Sequence, residues 1–532
     1  MTEPVVLTRR LGGALGRGLV DGTLPGEWYA RPPRSRGEWS AHVERVRSDL
    51  ARHDWYGALA PALQASGAAA ARLERVAGGR GVVVTTGQQP GLFGGPIYTW
   101  SKALSAIALA EVVERETGIP AAPVFWAATY DADFAEASAS YVALGDRVER
   151  LQMPPTEHPG RSMRDTPLGD VSPLHDALER AAGSAADPGL LALVKGAYAP
   201  TETVGGAFVS LLRAVLEPLG MAVLDAGHPA VIEAERPLVR MALSDADAVD
   251  AAVQRRDAEL REAGYTPRVA HVNGLTLVFE GGADGRRRIP IAGARAVAAR
   301  ADAAALEPNV LLRPVAERSI LPTVAYLAGP GELEYFAQAS AVAAALGAAM
   351  PLALPRWSGL IIEPHVQRIL RRYALEPDDL SDPHAALTRL ARERLPDPVR
   401  DALARARAAL DASVAELARA TEATEPPLVP ASVLDGAMHA VGRRLDRLER
   451  RITAAVKRRH ETVVRDVETA RAALFPLGHP QERMLTIVPL LARHGTPLLD
   501  LMLDRAREHA TALAAASSDE ALAAHGHVGD GR

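Results

Sequence analysis

Two adjacent amides, Gln88 and Gln89, sit in the stretch VVVTTGQQPGLFGGPIYTWSK (Val82–Lys102), inside a loop with four glycines and two prolines. Each glutamine offers a donor pair and an acceptor without charge. The two can therefore position an amine, a carboxylate or a hydroxyl without altering its ionisation. Glycines let the backbone approach a ligand closely, and the helix that starts after the loop favours anions at its N-terminus. Lys102, near two turns into that helix, can neutralise a phosphate. The plainer alternative, a glycine turn with solvated glutamines, fits the pattern equally well. No Gly-Lys-Ser/Thr follows, so this is not a Walker loop, and it lacks the G-x-G-x-x-G dinucleotide fingerprint.

Asp131 and Asp133, in WAATYDADFAE, form a second candidate group. Two carboxylates at the end of a strand can orient an amine, act as general base or hold Mg2+ beside a nucleotide. An Asx turn or a helix N-cap uses the same residues. A third group lies in LRPVAERSILPTVAYLAGPGELEYFAQ: Arg313 precedes a strand, and Glu332, Tyr335 and Gln338 open the helix behind it. Tyr335 and Gln338, three apart, share a helical face, while Glu332 also suits a first turn as a partner of the helix dipole. PLALPRWSGLIIE places Arg356 and Ser358 after a proline-punctuated strand, where a solitary arginine is most often a salt-bridge partner.

These groups need a scaffold that brings strand ends together. Val82–Thr86 reads as a buried strand, residues from about Pro96 to Glu116 as a helix and Ala121–Ala128 as a second strand. That is a strand–helix–strand unit, the seed of a parallel sheet covered by helices. GMAVLDAG and its following helix suggest a second unit, and LPTVAYLAG another buried strand. The expected class is α/β, with a core over 1–385. Two insertions interrupt it, at about 145–200 (read as irregular) and at about 255–307, where LTLVFE and RRRIPIAG form a hairpin across GGADG.

From about Asp382 the pattern becomes helical. Val399, Leu403, Leu410, Val414 and Leu417 keep one stripe, and Leu434, Met438, Val441, Leu445, Leu448 and Ile452 alternate steps of four and three, as a coiled coil does. The register slips at Val456 and resumes through Val463 and Val467, which resembles a stutter. TEATEPPLVPAS breaks two long helices, so 386–480 should fold back as a hairpin arm. Such an arm can be closed within one chain or can dimerise; dimerisation is favoured, because one hairpin buries only a narrow stripe. Residues 481–515 are expected to be helices packing on the core, and 516–532 a disordered tail whose histidines, His525 and His527, are incidental.

At 532 residues the chain is long enough for two or three domains. A net charge of −5 gives no case for nucleic acid binding. The absence of cysteine excludes disulfides, thiolate metal sites and cysteine nucleophiles, and no cluster reads as a resident metal site. The first residues do not read as a signal peptide, and no apolar run is long enough for a membrane helix. A soluble, cytoplasmic protein is the expectation.

Taken together, TGQQ (Thr86–Gln89), GGPIYTWSKA (Gly94–Ala103), PVFWAATYDADF (Pro123–Phe134), Leu312–Gln338, PRWSGLIIE (Pro355–Glu363) and GHPQERMLTIVPLLARHG (Gly478–Gly495) resemble the bacillithiol biosynthesis cysteine-adding family, BshC. The resemblance spans nearly the whole chain. It implies a Rossmann-like core with two connecting insertions and a coiled-coil arm that forms a homodimer. It also implies addition of cysteine, through its carboxyl, to the amine of glucosaminyl-malate. A carboxylate and an amine do not condense unaided in water, so ATP is the expected co-substrate, with Mg2+ as an optional companion.

On this resemblance Gln88, Gln89, Asp131 and Asp133 are the expected catalytic residues. Thr86, Gly87, Gly95, Tyr98, Thr99 and Lys102 would hold substrate or nucleotide, and Arg313, Glu332, Tyr335, Gln338, Arg356 and Ser358 would line the opposite wall. The chain departs from the family pattern in two places. Tyr130-Asp131-Ala132-Asp133 stands where the family commonly shows an acidic–Asp–His–Asp run, and Glu317 stands where a glutamine is expected. The lost histidine leaves an alternative: a catalytically degenerate or substrate-shifted dimeric binding protein of the same fold.

Overall fold

The structure, a computed structural model, describes residues 3–9, 12–50, 53–282, 285–300, 306–424 and 429–515. The expected tail and the hairpin turn at 283–284 lie outside the described residues. Two compact units divide the described residues: one takes in 4–142, 149–361 and 481–515, the other Glu3, 143–148 and 362–480.

The first unit is built on five parallel strands: β1 (Val82–Gln88), β2 (Ala121–Ala127), β3 (Ala222–Asp225), β4 (Thr323–Ala328) and β5 (Ala353–Pro355), in the spatial order β5-β4-β1-β2-β3. β1 and β2 are buried almost throughout. That is why their sequences are apolar runs rich in β-branched and aromatic residues and do not alternate. Helix α1 (Ile97–Thr117) returns the chain from β1 to β2 and ends on Gly118 at φ 72°. The chain steps outward from β1 through β2 to β3, then crosses back to β4 and continues away to β5. The order therefore reverses between β1 and β4, the place where open α/β sheets bind ligands at their carboxyl ends.

The insertion before β3 is more regular than its Pro- and Gly-rich sequence suggests, with helices at Ser172–Ala182 and Pro188–Ala197. Both have proline in the first turn, where it starts a helix as readily as it breaks one. The insertion before β4 forms the expected hairpin, Leu275–Gly282 against Gly285–Pro290. A third strand, Leu306–Pro308, adds antiparallel to Leu275–Gly282. Three residues ending in proline carry no period to read.

In the second unit, α2 (Asp397–Glu422) and α3 (Ala431–Arg459) fold back on each other, and Arg407 bridges to Asp446 at 2.7 Å and Glu449 at 3.2 Å. Leu434, Met438, Leu445 and Ile452 are half-buried along the seam. Leu417, Val441 and Leu448, from the expected stripes, are instead 56%, 46% and 51% exposed, as is Val433 at 54%. A straight helix drifts out of a strict seven-residue repeat, and here Gly442 and Glu449 turn inward in place of Val441 and Leu448. The slip near Val456 corresponds to a break: His460 (φ −117°, ψ 52°) ends one helix before Glu461–Leu474 begins. No helix among the described residues is long and apolar enough to cross a membrane.

Candidate active site

The loop after β1 is pinned. Phe93, within it, is fully buried in the left-handed region at φ 55°, a conformation costing about 1–3 kcal/mol that persists only where the surroundings fix it. Its ring packs at 5.0 Å from Tyr198 and 5.4 Å from His175. The Tyr198 hydroxyl accepts from Gly94 N and donates to Gly91 O, both at 3.0 Å. Gly87 is required for a different reason: a Cβ there would lie 2.8 Å from the Trp126 carbonyl oxygen on β2. Thr86 is spent across the sheet, donating to Leu327 O at 2.8 Å.

Lys102 is buried under this loop. Its ammonium donates to Gly87 O and Gln88 Oε1, each at 2.8 Å, and pairs with Glu332 Oε2 at 2.5 Å. Burial pushes the Lys102 ammonium down, and the Glu332 charge pulls it back up. Burial also works against the Glu332 carboxylate, but Lys102 outweighs it and holds that group below its ordinary range. Glu332 further accepts from Tyr326 Oη at 2.8 Å and from Gly329 N at 2.7 Å. Gln88 completes the cluster by donating to Tyr98 Oη at 3.2 Å. Gly95 N bonds to Leu92 O and Ile97 N to Leu485 O, while Thr99 is buried at the start of α1. Lys102 and the amides of Gly94, Gly95 and Ile97 are thus used inside the protein, and a phosphate at this turn would have to displace them.

Gln89 points the other way. Its amide donates to Asp131 Oδ2 in the loop after β2, so the glutamine turn and the aspartate loop meet at adjoining strand ends. Asp131 Oδ1 also accepts from Asp133 N at 2.9 Å and from Arg286 Nη2 at 3.1 Å. Arg286 comes from the hairpin inserted before β4. Asp133 is exposed and caps a short helix, accepting from Glu136 N at 3.1 Å.

The remaining candidates separate. Arg313 pairs with Glu317 at 2.9 Å, donates to Tyr335 Oη at 3.2 Å and lies over the Tyr326 ring at 4.9 Å. Through Tyr326 this group adjoins the Lys102–Glu332 pair. Glu317, the residue standing in place of a glutamine, is therefore the counter-ion of a buried arginine. Gln338 does not share that wall: it donates to Asp257 Oδ1 at 2.8 Å and exchanges two bonds with the Val269 backbone. Arg356 is clamped by Glu482 in a two-pronged pair at 2.9 and 2.6 Å, and it donates to Ser358 Oγ at 2.9 Å. Tyr130 is buried in an apolar cluster with Trp126, Ala128 and Ile320, where it packs the core beneath the aspartate loop.

Arg286 and Glu482 join these groups without a local signal in the sequence. Arg286 lies in an RRR run on a strand, where period two selects a face but not a partner. Glu482 is 126 residues from Arg356, beyond any spacing rule. Among the described residues no group of three or more metal-type ligands is close enough to hold an ion.

A family model for the N-terminal Rossmann-like domain of BshC, of bacillithiol biosynthesis, matches residues 27–357, and one for its C-terminal coiled-coil domain matches 359–512. The chain belongs to the BshC family. Relatives named "Putative cysteine ligase BshC" include one from Solibacter usitatus, 32% identical over 89% of this chain and 91% of the relative. Others come from Koribacter versatilis, 33% identical over 84% and 85%, and Salinibacter ruber, 30% identical over 90% of each chain. Membership in the BshC family thus covers both units, and the Gln89–Asp131 contact lies within its Rossmann-like domain.

Proposed function

We propose that this chain is a cysteine ligase of bacillithiol biosynthesis, joining the cysteine carboxyl to the amine of glucosaminyl-malate. The observation that carries this reading is the meeting of Gln89 and Asp131 at the carboxyl ends of the adjacent strands β1 and β2, in a chain whose relatives are named for cysteine ligation. An uncharged amide beside a carboxylate suits an amine, which must lose its proton before it attacks. The carboxylate partner is a poor electrophile until its oxygen becomes a leaving group, so the reaction draws on ATP, with Mg2+ accompanying the nucleotide. The proposed setting is the cytoplasm.

The protein is proposed to work as a homodimer joined through the coiled-coil arm. Four large apolar side chains left exposed on α2 and α3 support this.

Mass spectrometry tests the activity. Purified protein with cysteine, glucosaminyl-malate and ATP-Mg is expected to yield the mass of bacillithiol, and omission of ATP to abolish it. Failure to form product while a ligase of the same pathway works in the same mixture counts against the reading.

A further inference from the structure

Asp131 already has donors on both of its oxygens, and Asp133 is spent as a helix cap at an exposed position. Asp131 receives Gln89, Asp133 N and Arg286, and Asp133 receives Glu136 N. These two are equipped to position. A proton acceptor needs an oxygen to offer, and Glu307 has one: its Oε2 is buried and has no hydrogen-bond partner among the described residues, on a side chain 8% exposed.

The strand register says where Glu307 faces. Glu307 stands opposite Phe279, and Phe279 stands opposite Arg288 on its other side. Directly opposed residues project from one face of a sheet, and Arg286, two places from Arg288, shares that face. Arg286 lies over the Phe279 ring at 4.7 Å and reaches Asp131 at 3.1 Å. The face bearing Glu307 is therefore the face turned toward Asp131.

We propose that Glu307 accepts the proton of the attacking amine, with Gln89 and Asp131 positioning that amine; the assignment rests on the ligase reading. The nitrogen lone pair forms the C–N bond to the activated carboxyl carbon. The bond from that carbon to the phosphate or adenylate oxygen breaks, its electron pair leaving with that group. The proton on nitrogen passes to Glu307 Oε2, which later returns it to solvent.

The surroundings suit this task. Burial pushes Glu307 up to about 7; Arg286 opposes the rise, and Asp131 and Asp165 add to it. Behind it Glu235 is pushed up to about 8 by burial, with Glu317 and Glu307 adding and Arg313 opposing. A base titrating near the working pH combines availability with driving force.

Two readouts test the assignment on the full-length protein. Calorimetry with glucosaminyl-malate alone, at about pH 8 in two buffers of different ionisation enthalpy, counts protons taken up on binding. Wild type is expected to take up protons as the amine settles beside an ionised Glu307, and Glu307→Gln is expected to take up distinctly fewer. In turnover with cysteine and ATP, Glu307→Gln should lose about 100-fold or more in kcat while KM for the amine stays within about threefold, and Glu307→Asp should recover about tenfold of that loss. Equal proton uptake in both proteins, or a Glu307→Gln rate within about threefold of wild type, overturns the assignment and leaves the ligase reading standing. If wild type binds the amine without making product, the ligase reading fails and the assignment falls with it. Absence of binding overturns both.

Discussion

The Gln89 side-chain amide donates to Asp131 Oδ2 across two neighbouring parallel strands whose last paired residues are Gln88 and Ala127. This bond joins two loops 42 residues apart in the chain. Gln89→Ala should leave Asp131 oriented only by Asp133 N and Arg286. The expected outcome is a rate about 10- to 100-fold lower, the effect of about 1–3 kcal/mol of lost positioning. Because Gln89 is half-exposed, the urea midpoint should scarcely move. A large loss of stability with an unchanged rate per folded molecule would show the bond to be structural only.

Lys102 gives the opposite expectation. Its ammonium is held by Glu332, Gln88 and a backbone carbonyl, out of solvent. Lys102→Met leaves the Glu332 carboxylate without its cation, a change that typically costs about 3–5 kcal/mol. Equilibrium urea unfolding should register that loss. A variant as stable as wild type, weakened only in its KM for ATP, would instead make Lys102 a phosphate ligand.

The Arg356–Glu482 clamp ties the residues after β5 to the C-terminal segment, with both side chains almost wholly buried. Glu482→Gln should destabilise the first unit by about 3–5 kcal/mol, again because a charge is stranded. Limited proteolysis is expected to cut the C-terminal helices first. An unchanged cleavage pattern and midpoint would mean that the apolar contacts there suffice.

Much of this was legible in the sequence, for a physical reason. Strands buried on both faces are apolar runs punctuated by glycine and proline, so β1, β2 and β4 declare themselves locally, and so does the chemistry at their ends. Partners do not. Whether Lys102 faces a ligand or Glu332, whether Gln338 faces a cleft or Val269, and whether Arg356 meets a substrate or Glu482 depend on residues from 69 to 230 positions away. On the arm, heptad counting found the helices but put Val441 and Leu448 in the seam, because the count assumes a supercoil that a single hairpin does not sustain.

The two raised carboxylates set a pH dependence. Glu235 titrates at about 8 in the folded protein against an ordinary 4.5, so the folded state binds the extra proton between those values. Its contribution to stability is whole below about 4.5 and is lost as pH rises through about 8. Glu235→Gln should therefore gain on wild type steadily from pH 6 to pH 8.5 in urea unfolding, a difference in which the other groups cancel. Parallel curves would mean that Glu235 titrates alike in both states.

The exposed Leu417 and Leu448 bear on assembly. Sedimentation of wild type is expected at twice the 56.3 kDa chain mass, and Leu417→Glu with Leu448→Glu should shift it to the single chain. A wild type that sediments as one chain at micromolar concentration would remove the dimer from the account.

The most direct test is the rate of bacillithiol formation by wild type and Asp131→Asn, measured side by side by mass spectrometry. With an amide in place of the carboxylate that Gln89 and Arg286 hold, kcat is predicted to fall by about 100-fold or more, with the urea midpoint little changed. A folded Asp131→Asn protein that forms product as fast as wild type would contradict the account and place the chemistry away from the junction of these two loops.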